Sequence, residues 1–163
     1  MLEYMELREL SNRIGIPVRK LRYVLDHDLV PNRDWFVAEG EVGQPRRFDS
    51  ITAFFIACAA FLLNAGHKRD AVREIMRSTA MIYPDGKNPL RLPLLANVIQ
   101  GKSQAELLSG DGTHVRLRVG AKDSLWIACD DPKRRIKDFR PKVTVGVDVG
   151  LIRDLVLNRE KSP

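Results

Sequence analysis

A chain of 163 residues suits one compact domain, or a unit of roughly 80 residues with a smaller companion. A hydrophobic share of 44% against 29% charged excludes global disorder, and the longest apolar run, Ala53 to Leu63, falls short of the about 20 residues a helical membrane span needs. The net charge of +6, from 27 Lys and Arg against 21 Asp and Glu, favours a polyanionic partner.

The opening residues, Met-Leu-Glu-Tyr-Met-Glu, carry acids where a secretory signal carries bases, so a cytoplasmic protein is expected. Cys58 and Cys129 form no metal-ligand pattern, so free thiols are expected, with Cys58 a small buried hydrophobe. The three histidines are scattered, and no nucleophile, base and orienting group recur at a useful spacing. No enzyme activity, cofactor or metal is therefore expected. His27, between Asp26 and Asp28, is read as a residue near a helix C-terminus rather than a catalytic one.

In chain order, residues 5–14 place Leu7, Leu10 and Ile14 on one helical face, with Glu6, Arg8, Glu9 and Arg13 outside it. Gly15 suits a left-handed turn, and Pro17 suits the first turn of a second helix over about 17–27. That helix has Val18, Leu21 and Leu25 as its inner face. Two short helices joined by a tight turn predict a helix-turn-helix. Trp35-Phe36-Val37 and Arg46-Arg47-Phe48 predict a hairpin in the place of a wing, with Glu39 to Pro45 as its loop. Asp49 or Ser50 is expected to cap a third, amphipathic helix through Ile51, Phe54, Phe55, Cys58, Phe61 and Leu62. A fourth helix over about 68–82 buries Ala71, Val72, Ile75, Met76, Thr79 and Ile82. Pro84-Asp85-Gly86, with Pro89 and Pro93, marks a linker.

Beyond the linker, Leu94 to Leu108 reads as a helix interrupted at Gly101, with Ser103 and Glu106 as a capping box. Alternation predicts strands over 114–119, 124–129 and 143–147. Asp148 is expected to cap a final helix carrying Leu151, Ile152, Leu155 and Val156. Six bases fall between Lys133 and Lys142, and read as a solvated connecting loop or a second phosphate-binding patch. Trp126 reads as a packing residue. The fold class is mainly α with small β elements: a winged helix-turn-helix over 1–83, then a small α+β domain over 84–163.

Several of these stretches together resemble one family. Glu9-Leu10 through Gly15, then Val18-Arg19-Lys20-Leu21-Arg22-Tyr23, then Leu29-Val30-Pro31, look like the start of MerR-type regulators. Arg46-Arg47-Phe48 before a helix resembles that family's wing end, and Asn64-Ala65-Gly66 its junction of third and fourth helices. The likeness covers roughly residues 5–80 and implies contacts to duplex DNA by Arg19, Arg22, Tyr23, Arg46 and Arg47. Lys20 is assigned to base edges, because the family varies there. Elementary physics points the same way: a surface helix can enter the major groove, and wing cations can meet the adjacent backbone. Pro17 stands where the family has Ser or Thr, and Val24 where a second aromatic is common. The family's long dimer helix has no counterpart, because Pro84, Gly86, Pro89 and Pro93 break that span.

The expected function is a sequence-specific transcriptional regulator of duplex DNA. A homodimer, an unknown effector or a protein partner is assigned to residues 84–163. Two other readings stay open: an architectural DNA-binding factor, like an excisionase or a phage packaging small subunit, and an adaptor that docks a protein on the winged helix. The near-neutral balance of residues 1–50, 8 basic against 9 acidic, favours the adaptor.

Overall fold

Leu7–Ile14 forms the first helix, α1, because Leu10 and Ile14 share one face and both are buried. The structure, a computed structural model, describes residues 4–30, 36–38, 46–79, 105–110, 114–119, 122–123, 126–128, 131–136 and 145–158. Gly15 ends α1 at φ 74, with its N–H donating to the Ser11 carbonyl at 2.9 Å. That left-handed conformation strains any residue with a Cβ. Ile16, buried, and Pro17 complete the turn into α2, Val18–Asp26.

Pro17 is the N-cap of α2 rather than a residue of its first turn, and its carbonyl accepts from the N–H groups of Lys20 and Leu21. The inner face also differs from the expected Val18, Leu21 and Leu25. Leu21 and Val24 are wholly buried, while Val18 and Leu25 are half-buried. The helix is rolled toward Val24, so the smaller side chain at that position serves the core. Asp28, at φ 57, reverses the chain, and the Leu29 N–H returns to the Val24 carbonyl.

The predicted hairpin strands are present as β2, Phe36–Ala38, and β3, Arg47–Asp49, paired antiparallel. A third strand, β1 at Tyr4–Glu6, joins the free side of β3 and was not predicted. Three residues are too short to show a period-two pattern in the sequence. β3 is therefore the central strand, with Met5 opposite Phe48 and both side chains buried.

Asp49 caps α3, Ser50–Asn64, by accepting from the Thr52 N–H at 2.7 Å. The amphipathic helix expected here is instead buried on all sides. Thr52 to Ala60 are buried without a break, and only its flanks, such as Ile51 and Phe61, reach half-exposure. α1, α2 and β3 pack against it, as does α4, Arg69–Thr79, through its buried Val72, Ile75 and Met76. Over 4–79 the described chain is mainly helical with short antiparallel strands.

A second antiparallel sheet follows, made of β4 (Ala105–Gly110), β5 (His114–Val119), β6 (Lys122–Asp123), β7 (Trp126–Ala128), β8 (Asp131–Ile136) and β9 (Val145–Asp148). Its order is β8-β7-β5-β4-β9, with β6 beside β5. The strands expected within 114–119, 124–129 and 143–147 are found at β5, β7 and β9. Two expectations are corrected. Residues 105–108 belong to a strand rather than a helix, so Glu106 closes no capping box. β4 takes backbone partners from both β5 and β9, and that ladder overrides local helix preference. The basic run begins as the edge strand β8 rather than as a connecting loop. Residues 94–104 and 137–144, like the predicted linker, lie outside the described residues.

The last helix, α5, is Val149–Val156, capped as expected by Asp148, whose carboxylate accepts from the Leu151 N–H at 2.9 Å. Its buried stripe is Val149, Ile152 and Val156, while Leu151 is exposed. α5 packs on α1 and α3, and its buried residues join the same apolar core as Leu10, Leu21 and Phe54. Arg13 of α1 reaches the Val156 carbonyl at the end of α5, at 2.6 Å. The boundary expected at 83/84 lies outside the described residues, and the core continues beyond it. No helix among the described residues is long and apolar enough to cross a membrane.

Ile152→Ala is therefore expected to destabilise the first four helices as well as α5. The cost should be about 2–5 kcal/mol, the range for truncating a buried Ile. Chemical denaturation followed by far-ultraviolet circular dichroism would show one shifted transition. Two transitions, with the helices of residues 7–79 unaffected, would contradict the shared core.

Candidate nucleic-acid interface

With Leu21 and Val24 held against α3, a rotation of about 100° per residue turns the rest of α2 outward. Arg19, Lys20, Arg22 and Tyr23 are all exposed, Tyr23 at 39%. They leave on different flanks. Arg22 and Asp26, one turn apart, face the side of α1 and β3. Lys20 leaves toward the end of α3, where its ammonium donates to Asn64 Oδ1 at 2.8 Å. Tyr23 stacks on His27 with ring centroids 4.0 Å apart and planes at 28°.

His27 in turn ends α2. Its carbonyl accepts from the Arg73 guanidinium of α4 at 2.7 Å, and Arg73 also pairs with Asp70 at 3.0 Å. A cation at a helix C-terminus satisfies a carbonyl that has no partner within the helix. His27 Nδ1 is buried and accepts or donates no hydrogen bond among the described residues. The ring packs against Tyr23 at the end of α2, the helix-end position expected from the sequence.

Arg46 and Arg47 are exposed on either side of the start of β3. Arg46 shares an open groove of about 660 Å³ with Arg22; the other lining residues are Glu6, Leu7, Arg8, Val18, Leu25 and Asp26. Arg47 does not line this groove and stands opposite Glu6 in the β1–β3 register. The predicted residues therefore form a surface spread around α2, with only Arg22 and Arg46 converging on one groove. Arg8 was missed as a member. The sequence showed only that it faces out of α1, and the proximity to α2 and β3 comes from the Gly15 turn and the sheet.

Among the described residues, no ion pair engages Arg8, Arg19, Arg22, Arg46 or Arg47. The thiol at Cys58 is the opposite case: it is wholly buried in α3, and desolvation pushes it far above its ordinary range. A thiol in that state is a packing group rather than a nucleophile. Comparisons with protein families, curated proteins and solved structures return no match, so the residues themselves carry the argument.

The bond between Lys20 and Asn64 is exposed on both sides, which bounds its value. Asn64→Ala is expected to change folding stability by less than about 0.5 kcal/mol, as for a surface substitution. Denaturant titration would check it, and a loss of several times that size would mean that Lys20 is a structural strut.

Proposed function

We propose that this chain is a winged helix-turn-helix protein that binds duplex DNA and regulates transcription, as its resemblance to the MerR type implies. In this reading α1 and α2 are the helix-turn-helix, α2 enters the major groove, and β2 with β3 is the wing. The observation that carries it is the set of unpaired, exposed guanidinium groups at Arg19 and Arg22 on α2 and at Arg46 and Arg47 beside it. Nine residues of helix span about 13 Å, close to the width of the groove they would enter.

The roles follow from chemistry. Arginine takes phosphate through a planar fork of donors, so Arg19, Arg22, Arg46 and Arg47 position the protein on the backbone. Tyr23, steadied by His27, offers its hydroxyl to a further phosphate. Lys20 leaves Asn64 and reads a base edge: its ammonium donates to a neutral acceptor in either case, so the exposed bond to Asn64 is exchanged at little cost. Residues 84–163 supply a homodimer contact, an effector site or a protein partner's surface.

Binding of a fluorescent duplex across a salt series tests the reading. Arg22→Ala is expected to weaken all sequences alike and to flatten the log–log salt slope by about 0.9, the share of one lost phosphate contact. Lys20→Ala is expected to cost about 1–3 kcal/mol on a selected site and much less on random duplex. Equal losses on both would remove Lys20 from base reading. A protein that binds no duplex at low salt has a different function. An adaptor would keep its protein partner after loss of Arg19 and Arg22, and an architectural factor would bend DNA at several phased sites.

A further inference from the structure

The groove between α1, α2 and β3 contains more than the contacts just assigned. Arg8 joins Arg22 and Arg46 on its lining from the first turn of α1, and it is exposed and unpaired among the described residues. Leu7, Val18 and Leu25, each half-buried, give the same lining an apolar part. Glu6 and Asp26 complete it with two carboxylates. Three guanidinium groups less two carboxylates leave the groove with a net charge of +1.

This mixture fits one strand of a duplex backbone better than a free anion. Deoxyribose offers C–H surface to Leu7, Val18 and Leu25, and its flanking phosphates offer oxygens to the arginine forks. A carboxylate repels any phosphate that comes near it, and it does so whatever the base sequence. Asp26 lies one turn beyond Arg22 on α2, and Glu6, the last residue of β1, lies two residues before Arg8, so Arg22 and Arg8 each have a phosphate-repelling neighbour close by in the chain.

Resting on the DNA-binding reading, we infer that this groove seats one sugar–phosphate strand, with Arg8 as a phosphate contact beside Arg22 and Arg46. Glu6 and Asp26 act as gates that confine the strand's path and hold down binding in every other register. Non-specific affinity is almost wholly electrostatic, so the gates weigh most on duplexes that do not fit. Glu6 makes no side-chain cap to α1, which leaves its carboxylate free for this role.

The experiment measures full-chain binding to a random-sequence duplex and to a site selected from random DNA, across a salt series. Arg8→Gln is expected to flatten the salt slope by about 0.9 on both duplexes, as one phosphate contact is lost. Glu6→Gln and Asp26→Asn are each expected to raise affinity for the random duplex by ~3–10-fold, the scale of one close like-charge contact at a surface. The gain on the selected site should be smaller, so that discrimination falls. Asp154→Asn makes the same change of charge on α5, whose last turn meets α1 at Arg13 rather than at the groove, and is the control for net charge. Circular dichroism melts confirm that each variant is folded. If Arg8→Gln keeps the parent slope, or the two groove variants merely match Asp154→Asn, this inference is overturned while an effect of Arg22→Ala preserves the DNA-binding reading. A parent protein without duplex affinity overturns both.

Discussion

The structure depends on the burial of α3. Nine consecutive side chains, Thr52 to Ala60, are removed from water, and no solvent face is left along that stretch. Each fully buried Phe, Leu or Ile contributes about 1.5–3 kcal/mol relative to exposure, and this stretch of α3 holds Phe54, Phe55 and Ile56 wholly out of water. Phe54 and Phe55 pack edge to face at 6.1 Å, and Ala53, Ala57 and Ala60 give one side of the helix a low profile on which neighbours can sit closely. α2 is presented to solvent only because Leu21 and Val24 are anchored on this helix. The orientation of Arg19, Arg22 and Tyr23 is thus a consequence of core packing rather than of the basic residues themselves.

The same core explains why the chain beyond residue 84 belongs with what precedes it. Val149, Ile152 and Val156 close a side of α3 and α1 that would otherwise face water. Arg13 adds a directional link. It bonds Glu9 within α1 at 2.7 Å and the terminal carbonyl of Val156 at 2.6 Å, so one guanidinium holds two helices. α1 is then fixed at both ends, by α5 at its C-terminus and by β1, which runs into it directly, at its N-terminus. Arg8 and the groove lie at that second end.

What the sequence revealed and concealed follows the reach of each signal. α1, α2 and α4 bury one stripe each, and a 3.6-residue period is visible without any knowledge of neighbours. Asp49 and Asp148 as caps were equally local, being acids placed just before an apolar run. The face of α2 was misjudged by one position, because Val24 and Leu25 are both apolar and only α3 decides between them. α3 was taken as amphipathic because Ala53, Ala57, Ala59 and Ala60 count weakly in any pattern, although all four are buried. β1 and β4 were missed because their strand character comes from partners distant in the sequence: Met5 from Phe48, and Leu108 from Leu117 and Val147. The same limit applied to the groove. Arg22 and Arg46 were each legible as cations, but their convergence with Arg8 requires the Gly15 turn and the β1–β3 pairing at once.

The charge balance of the first 50 residues illustrates why a sum over sequence is the wrong quantity for a surface. Eight bases against nine acids suggest no attraction to a polyanion. Yet the acids and bases are engaged differently. Glu9 is paired with Arg13, and Asp49 is committed to the Thr52 N–H at the start of α3. Arg8, Arg19, Arg22, Arg46 and Arg47 have no such engagement among the described residues. An exposed guanidinium acts at short range, because salt screens opposite charges beyond about 8–10 Å, so acids bound elsewhere on the fold do little to cancel it. Glu6 and Asp26 do lie close enough, and they lie in one groove. The near-neutral sum therefore divides into unpaired cations spread around α2 and a mixed groove beside them in which two carboxylates lie among three guanidinium groups.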